Sequence, residues 1–200
     1  MVGFEDNGRF EMKKTKYKII LSSNSPRRKE LLAGLDIDFD VKVKKGIAET
    51  YPEGLPVHEI PQYIAREKAA AYDVAADELV ITADTIVAVG KEILGKPKDE
   101  AEAIGMLHKL SGRTHQVITG VCLTSQKKQR CFSVTSNVTF RELADEDISY
   151  YVQKYKPLDK AGAYGIQEWI GYVGVTHLEG SYYNVMGLPV QRIYEELMTF

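Results

Sequence analysis

Asp84 interrupts Leu79-Val80-Ile81-Thr82-Ala83-Asp84-Thr85-Ile86-Val87-Ala88-Val89, a run that is otherwise apolar and largely β-branched. Aspartate is depleted from strands and costly to bury without a partner. Either the strand ends or bulges there with the carboxylate in solvent, or the carboxylate faces a site and holds a metal ion or a water molecule. A second group lies upstream at Ser25-Pro26-Arg27-Arg28, just after the apolar Ile19-Ile20-Leu21. Ser25 suits a helix N-cap and Pro26 the first helical position, where its missing N–H needs no partner. Arg27 and Arg28 then add two positive charges to the first turn, each costing about 0.3–1 kcal/mol against the helix dipole unless an anion sits there. A phosphate would remove that cost, since free amides and an arginine fork both match its oxygens. The competing reading is an exposed basic turn.

Two lysines and a glutamate extend the group. Ile60, Ile64 and Lys68 fall four apart on one helical stripe, so Lys68 shares an apolar face, where a lysine either snorkels to solvent or binds something. Lys96 follows a strand in Gly95-Lys96-Pro97, and Glu49 sits in a loop.

The elements that must carry these residues alternate. A strand at Tyr17–Leu21 feeds a helix ending near Gly34, and Phe39–Val43 reads as an edge or half-buried strand. A helix from about His58 to Ala76 has Pro61 in its first turn. Leu79–Val89 reads as a strand covered on both faces. It turns at Gly90-Lys91-Glu92 and returns through Ile93-Leu94. Asp99 with Glu102 forms a capping box for a helix through Leu110, closed by Ser111-Gly112. His115–Leu123 and Cys131–Phe140 alternate as a hairpin, and Asp145 caps a helix to about Lys154. Pro157 to Gln167 is too rich in glycine and small residues for a long regular element, and such loops let backbone approach a ligand. Gly171–Asn184 reads as a strand pair or strand and loop, and Gly187-Leu188-Pro189 opens a terminal amphipathic helix. The pattern argues for an α/β fold with a mixed sheet, flanking helices and two lobes.

Composition bounds the partners. With 200 residues, 44% hydrophobic and 27% charged, the chain suits one or two compact domains. A net charge of −2 and a pI near 6.1 give no global attraction to nucleic acid or to an anionic membrane, so any anion site is local. No stretch approaches a membrane span, and the N-terminus lacks a secretory core. Cys122 and Cys131 show no metal-type spacing, and a reduced, cytoplasmic protein is expected. Residues 1–15 read as a flexible polar leader and 16–200 as a single domain with two lobes.

Taken together and in order, Leu-Ser-Ser-Asn-Ser-Pro-Arg-Arg at 21–28, Lys68, Ala83-Asp84-Thr85, Gly95-Lys96-Pro97, Ser111-Gly112-Arg113-Thr114, Asp159-Lys160-Ala161-Gly162-Ala163-Tyr164-Gly165-Ile166-Gln167 and Gly187-Leu188-Pro189 closely resemble the Maf proteins, nucleoside triphosphate pyrophosphatases also known as septum-formation-inhibitor homologues. The resemblance implies a Maf/Ham1-like (ITPase-like) α/β fold with a mixed twisted sheet, two lobes and a central cleft. It implies hydrolysis of a nucleoside triphosphate to the monophosphate and pyrophosphate with a divalent cation, and a homodimer. The subgroup acting on dTTP and UTP is marked by an arginine, a threonine and a glutamine at the positions of Arg27, Thr85 and Gln167, and all three are present. Two departures are the leader and Glu168-Trp169, where the family commonly has small residues; that bulk is expected to narrow or reshape the base pocket.

On this reading Asp84 is the general base or positions a metal-held water, and Glu49 shares Mg²⁺ or Mn²⁺ with it. Ser25, Arg27 and Arg28 clamp phosphate oxygens, and Lys68 and Lys96 neutralise the leaving group. Thr85 and Gln167 read the pyrimidine, because an amide donates and accepts together. The rivals are a non-catalytic nucleotide-binding regulator of cell division using the same cleft, and a nucleic-acid binder, which the acidic pI and the lack of a basic face disfavour.

Overall fold

The computed structural model describes residues 16–200; the leader assigned to residues 1–15 lies outside the described residues. Seven strands form one mixed sheet: β1 (Lys18–Leu21), β2 (Phe39–Val41), β3 (Glu78–Val89), β4 (Glu92–Leu94), β5 (Thr114–Ser125), β6 (Gln129–Phe140) and β7 (Val175–Glu179). Their order is β2-β1-β3-β5-β6-β7, with β4 added on β3. β1 runs parallel to both β2 and β3, as β-helix-β crossovers require, while β3, β5, β6 and β7 form antiparallel ladders. The helices are α1 (Pro26–Ala33), α2 (Ile60–Ala70), α3 (Glu100–Leu110), α4 (Asp145–Tyr155), α5 (Trp169–Gly174), α6 (Tyr182–Met186) and α7 (Val190–Met198).

One irregularity in the sheet prepares the site. Along one edge β3 pairs with β5 from Leu79 to Ala88 without a break. Along its other edge it pairs with β1 only over Glu78–Ile81 and with β4 only over Val87–Val89. Residues 82–86 therefore have no strand neighbour on that side. The chain leaving β1 through Ser22–Ser25 and entering α1 passes this opening, with the Ser22 amide still bonded to the Ile81 carbonyl at 2.9 Å.

Apolar packing fixes both faces. Ile19, Leu21, Leu31, Leu32, Ala83, Val121 and Ile193 bury α1 and α7 against one face of the sheet. On the other, Ile60, Ile64, Ile86 and Ile118 seat α2. A further cluster joins α3, α4 and α5 through Leu107, Leu110, Phe140, Tyr151 and Ile170.

Four expectations are corrected. The second helix ends at Ala70, not Ala76, because Tyr72 leaves it to bond Ser22 Oγ at 2.6 Å and to donate to the Lys42 carbonyl at 3.0 Å. Ala144, not Asp145, caps α4; Asp145, Glu146 and Asp147 occupy its first turn, where negative charge suits the dipole. The region Gly171–Asn184, read as a strand pair or a strand and loop, holds one strand, β7, but begins within α5 and ends in α6, and Gly171 lies so close to Ile166 that a Cβ would meet its carbonyl oxygen at 1.8 Å. Its glycine serves close packing and not a turn. Cys122 and Cys131, expected to be reduced thiols, face each other across β5 and β6 and are disulfide-bonded, with Cα atoms 4.1 Å apart.

Candidate active site

The opening beside residues 82–86 leads into a cleft of about 850 Å³. Its walls come from the Ser22–Arg28 junction, the Val43–Tyr51 loop, α2, β3, Gly95-Lys96, the Asp159–Gln167 loop and Gly187. All nine candidate residues, Ser25, Arg27, Arg28, Glu49, Lys68, Asp84, Thr85, Lys96 and Gln167, line it.

Adjacent residues of a strand point to opposite faces. Asp84 points toward α2, as does Thr82, whose hydroxyl donates to the Ala65 carbonyl at 2.6 Å. Thr85 points toward α1 and α6. Because β3 has no strand neighbour on its β1/β4 edge at this point, a ligand lying along that open edge can reach both side chains. Asp84 is only 9% exposed, and its Oδ1 accepts from Lys68 Nζ at 2.8 Å. Lys68 also pairs with Glu49 Oε1 at 2.7 Å. Burial opposes ionisation of Glu49, but the hydrogen bond and charge of Lys68, with Lys96 and Arg28 beyond, outweigh it and hold that carboxyl below its ordinary value. Lys68 neither snorkels nor idles; it is the node joining two carboxylates.

α2 can bring Lys68 this close because Gly120 faces Asp84 across the β3–β5 ladder. A Cβ on Gly120 would meet the backbone nitrogen of Gln62 at 2.1 Å. The helix therefore rests on bare backbone.

Ser25 is the N-cap of α1, accepting from the Arg28 amide at 3.4 Å, and Pro26 takes the first turn. The two arginines then diverge. Arg27 reaches across the cleft to Asp159 Oδ2 at 2.8 Å. Arg28 turns inward: Nε donates to the Gly187 carbonyl at 2.8 Å, Nη1 to the Ala83 carbonyl at 2.8 Å and Nη2 to Thr85 Oγ1 at 3.0 Å. Desolvation lowers its pKa, opposed by Asp84 and Glu49. Three of its donors are spent on protein, so Arg28 holds the walls together while Arg27 faces the opening.

Sequence reasoning assigned no role to Lys160 or Asp159. Lys160 is buried beside the cleft, pairing with Asp159 Oδ1 at 2.7 Å and Glu168 Oε1 at 3.1 Å. Lys160 and Arg27 together hold the Asp159 carboxyl down at about 2 against the opposing effect of burial. A lysine inside a glycine- and alanine-rich loop was the available signal. Gly162, at φ +67°, lets that loop close on Val87, and its amide bonds the Gly95 carbonyl at 3.0 Å, which anchors the segment bearing Lys96. Gln167 lines the cleft, and its Oε1 is buried without a hydrogen-bond partner in the protein. Glu168 and Trp169 do not line the cleft: Glu168 accepts from the Tyr151 hydroxyl, and Trp169 packs edge-on against Tyr150 at 4.9 Å. Both side chains turn toward α4, and Glu168 meets the cleft wall through its ion pair with Lys160.

Among the described residues no three His, Cys, Asp or Glu side chains gather as a metal-binding group. Glu49 and Asp84 nevertheless meet at one ammonium, and two hard oxygen donors suit Mg²⁺ or Mn²⁺, which complete their shells with water and phosphate oxygens.

No helix among the described residues is long and apolar enough to cross a membrane. The family model described as Maf-like protein matches residues 18–200. A protein of Phocaeicola vulgatus named dTTP/UTP pyrophosphatase is 64% identical over 184 residues, covering 91% of this chain and 95% of that one. Another of that name, from Parabacteroides distasonis, is 60% identical over 187 residues, covering 92% and 97%. Among solved structures, a nucleoside-triphosphatase / dITP/XTP pyrophosphatase of Mycobacterium abscessus is 13% identical with a TM-score of 0.42, over 90% of this chain and 93% of that one.

Proposed function

The chain belongs to the Maf-like protein family, and from that premise we propose that it hydrolyses dTTP and UTP to the monophosphate and pyrophosphate. Relatives at 64% and 60% identity over most of both chains carry the name of that activity. The observation that carries the reading at the level of residues is the meeting, in one cleft, of the Asp84 carboxylate with Arg27, Lys68, Lys96 and Lys160. Cleaving an α–β phosphoanhydride requires a water in line with the α-phosphorus and positive charge on the departing pyrophosphate.

In the proposed mechanism the triphosphate lies along the open edge of β3. Asp84 accepts the proton of the attacking water, whose oxygen forms the new bond to the α-phosphorus as the bond to the bridging oxygen breaks. Arg27 exchanges Asp159 for phosphate oxygens. Lys68 orients Asp84 through its 2.8 Å bond, and Lys96 and Lys160 place positive charge near the leaving pyrophosphate. Glu49 and Asp84 are the residues that would hold Mg²⁺ or Mn²⁺, which when bound supplies charge neutralisation on the phosphates and a more acidic water. Thr85 and Gln167 face the base. The α1–α7 side of the sheet and the α3–α5 cluster are the proposed lobes.

The test is a panel of nucleoside triphosphates offered to the purified protein with Mg²⁺ or Mn²⁺, with monophosphate and pyrophosphate measured. Turnover concentrated on dTTP and UTP is expected. Orthophosphate release in place of pyrophosphate would overturn the bond assignment, and tight binding without hydrolysis would establish the regulatory reading instead. Chelating the divalent cation should abolish turnover, and restoring it should recover the rate.

A further inference from the structure

We propose that Asp159 is a built-in competitor for the leaving pyrophosphate: it occupies the anion position between Arg27 and Lys160 when the cleft is empty, and returns there to displace the product. The inference deepens the pyrophosphatase reading above and rests on it. Asp159 Oδ2 accepts from Arg27 Nη1 at 2.8 Å and Oδ1 from Lys160 Nζ at 2.7 Å, and all three residues line the cleft. A carboxylate holds two anionic oxygens on one carbon, as a phosphate holds several on one phosphorus, and guanidinium and ammonium groups bind both kinds. Burial pushes the Asp159 carboxyl up, but the hydrogen bonds of Lys160 and Arg27 bring it down to about 2, so the competing charge is present at neutral pH.

What makes Asp159 removable is a second carboxylate on Lys160. Lys160 is 8% exposed, and a buried ammonium left without a partner is costly. Glu168 Oε1 lies 3.1 Å from Lys160 Nζ and is held there, because its other oxygen accepts from the Tyr151 hydroxyl, which in turn accepts from the Gly165 amide at 3.0 Å. The Glu168 side chain is 20% exposed and that of Asp159 56%. Asp159 can therefore swing into water without stranding Lys160, whereas Glu168 cannot leave without breaking its link to Tyr151. An ammonium has three donors, so Lys160 can keep Glu168 and still offer two to a phosphate. Arg27 is not stranded either, since phosphate oxygens replace the carboxylate it releases.

Such competition acts on substrate and product alike. Only the state with Asp159 displaced can take a phosphate on both cations, and apparent affinity falls by the fraction of molecules in that state. The triphosphate binds less tightly for it, and the pyrophosphate left after cleavage is released more readily. The rival role for this carboxylate is a scaffold that holds Arg27 and Lys160 in place for the substrate. The two roles predict opposite signs: removing a competitor tightens pyrophosphate binding, and removing a scaffold loosens it. The nucleoside monophosphate is the internal control, since the mechanism above places its phosphate at Asp84 and the attacking water.

The experiment measures by calorimetry the binding of pyrophosphate and of UMP, each with Mg²⁺, to the wild type, Asp159→Asn and Asp159→Ala. Pyrophosphate should bind both variants roughly three- to thirtyfold more tightly, the scale of two partly exposed ion pairs, with UMP changed by less than about twofold. Progress curves with UTP should accordingly bend earlier as pyrophosphate accumulates. Unchanged or weaker pyrophosphate binding overturns the proposal, the weaker result making Asp159 a scaffold. Equal tightening of pyrophosphate and UMP overturns it too, since a general loss of negative charge would then account for the change. A wild type that releases no pyrophosphate from UTP overturns the functional reading itself, a result distinguishable from these because the binding measurement needs no turnover. Should the asparagine variant not fold, the alanine variant decides.

Discussion

At the scale of single residues, the two arginines of Ser25-Pro26-Arg27-Arg28 look interchangeable in sequence and are not. Arg27 pairs with Asp159 across the opening, an ion pair of which the aspartate is 56% exposed and which contributes little to stability. Arg27→Ala should lower kcat/KM by roughly ten- to a hundredfold, the worth of a charged hydrogen bond, with a thermal midpoint close to the wild type. Arg28→Ala would strip partners from the carbonyls of Ala83 and Gly187 and from Thr85 Oγ1. It should cost roughly 2–4 kcal/mol on denaturant unfolding, since buried acceptors lose their donor. Equal stability of the two variants would contradict this division. Asp84→Asn keeps the shape and an acceptor for Lys68 but removes the carboxylate proposed as the base, so turnover should fall by roughly 10²–10⁴-fold with circular dichroism unchanged. A rate within threefold of wild type would remove Asp84 from catalysis.

At the scale of elements, the placement of α2 decides whether Lys68 reaches Asp84. Gly120→Ala puts a methyl group against the backbone of Pro61 and Gln62, which cannot yield as a flexible side chain would. The helix must lift, at a cost of about 3 kcal/mol or more, and activity should fall further than stability accounts for because Lys68 moves with it. A variant with wild-type midpoint and rate would show that the close contact is dispensable. The existence of most elements was legible: Ser25 and Pro26 announce α1, the apolar run announces β3, and Asp99 caps α3 by accepting from the Glu102 amide at 2.8 Å, while the Glu102 carboxylate reaches back to the Lys98 amide and not to that of Asp99 as a capping box would. The element boundaries that were missed share a cause. Tyr72 ends α2 to bond residues on β1 and the loop after β2, and Gly171 permits α5 to press on Ile166; both are decided by partners distant in sequence.

At the scale of the whole molecule, stability should depend on pH through His115. This ring is 1% exposed, bonded through Nε2 to the Tyr164 hydroxyl at 2.7 Å, while Nδ1 has no partner. Burial pulls its pKa down to about 4. The unfolded chain therefore binds a proton near pH 6.5 that the folded one refuses until about pH 4. The stabilisation is full above about pH 6.5, falls as pH drops toward 4, and is level below that, amounting to about 3 kcal/mol. Unfolding in urea at a series of pH values should show that decline, and His115→Gln should flatten it; a wild-type profile flat between pH 4 and 6.5 would contradict it. The disulfide between the buried Cys122 and the half-buried Cys131, packed beneath Ala65 and Ala69 of α2, ties β5 to β6 below the helix that carries Lys68.

By itself the sequence determined which residues could do chemistry and which family they mark, because helix caps, strand runs and ordered motifs are local patterns. It could not say that Asp84 and Thr85, on opposite faces of one strand, reach the same cleft. That follows from β1 diverging after its pairing with Ile81 and β4 joining only at Val87. Nor could it separate Arg27 from Arg28, or bring Asp159 across the opening to Arg27. Those roles depend on which groups meet across 55 to 159 residues of intervening chain, and only the packed sheet and its helices decide which groups meet.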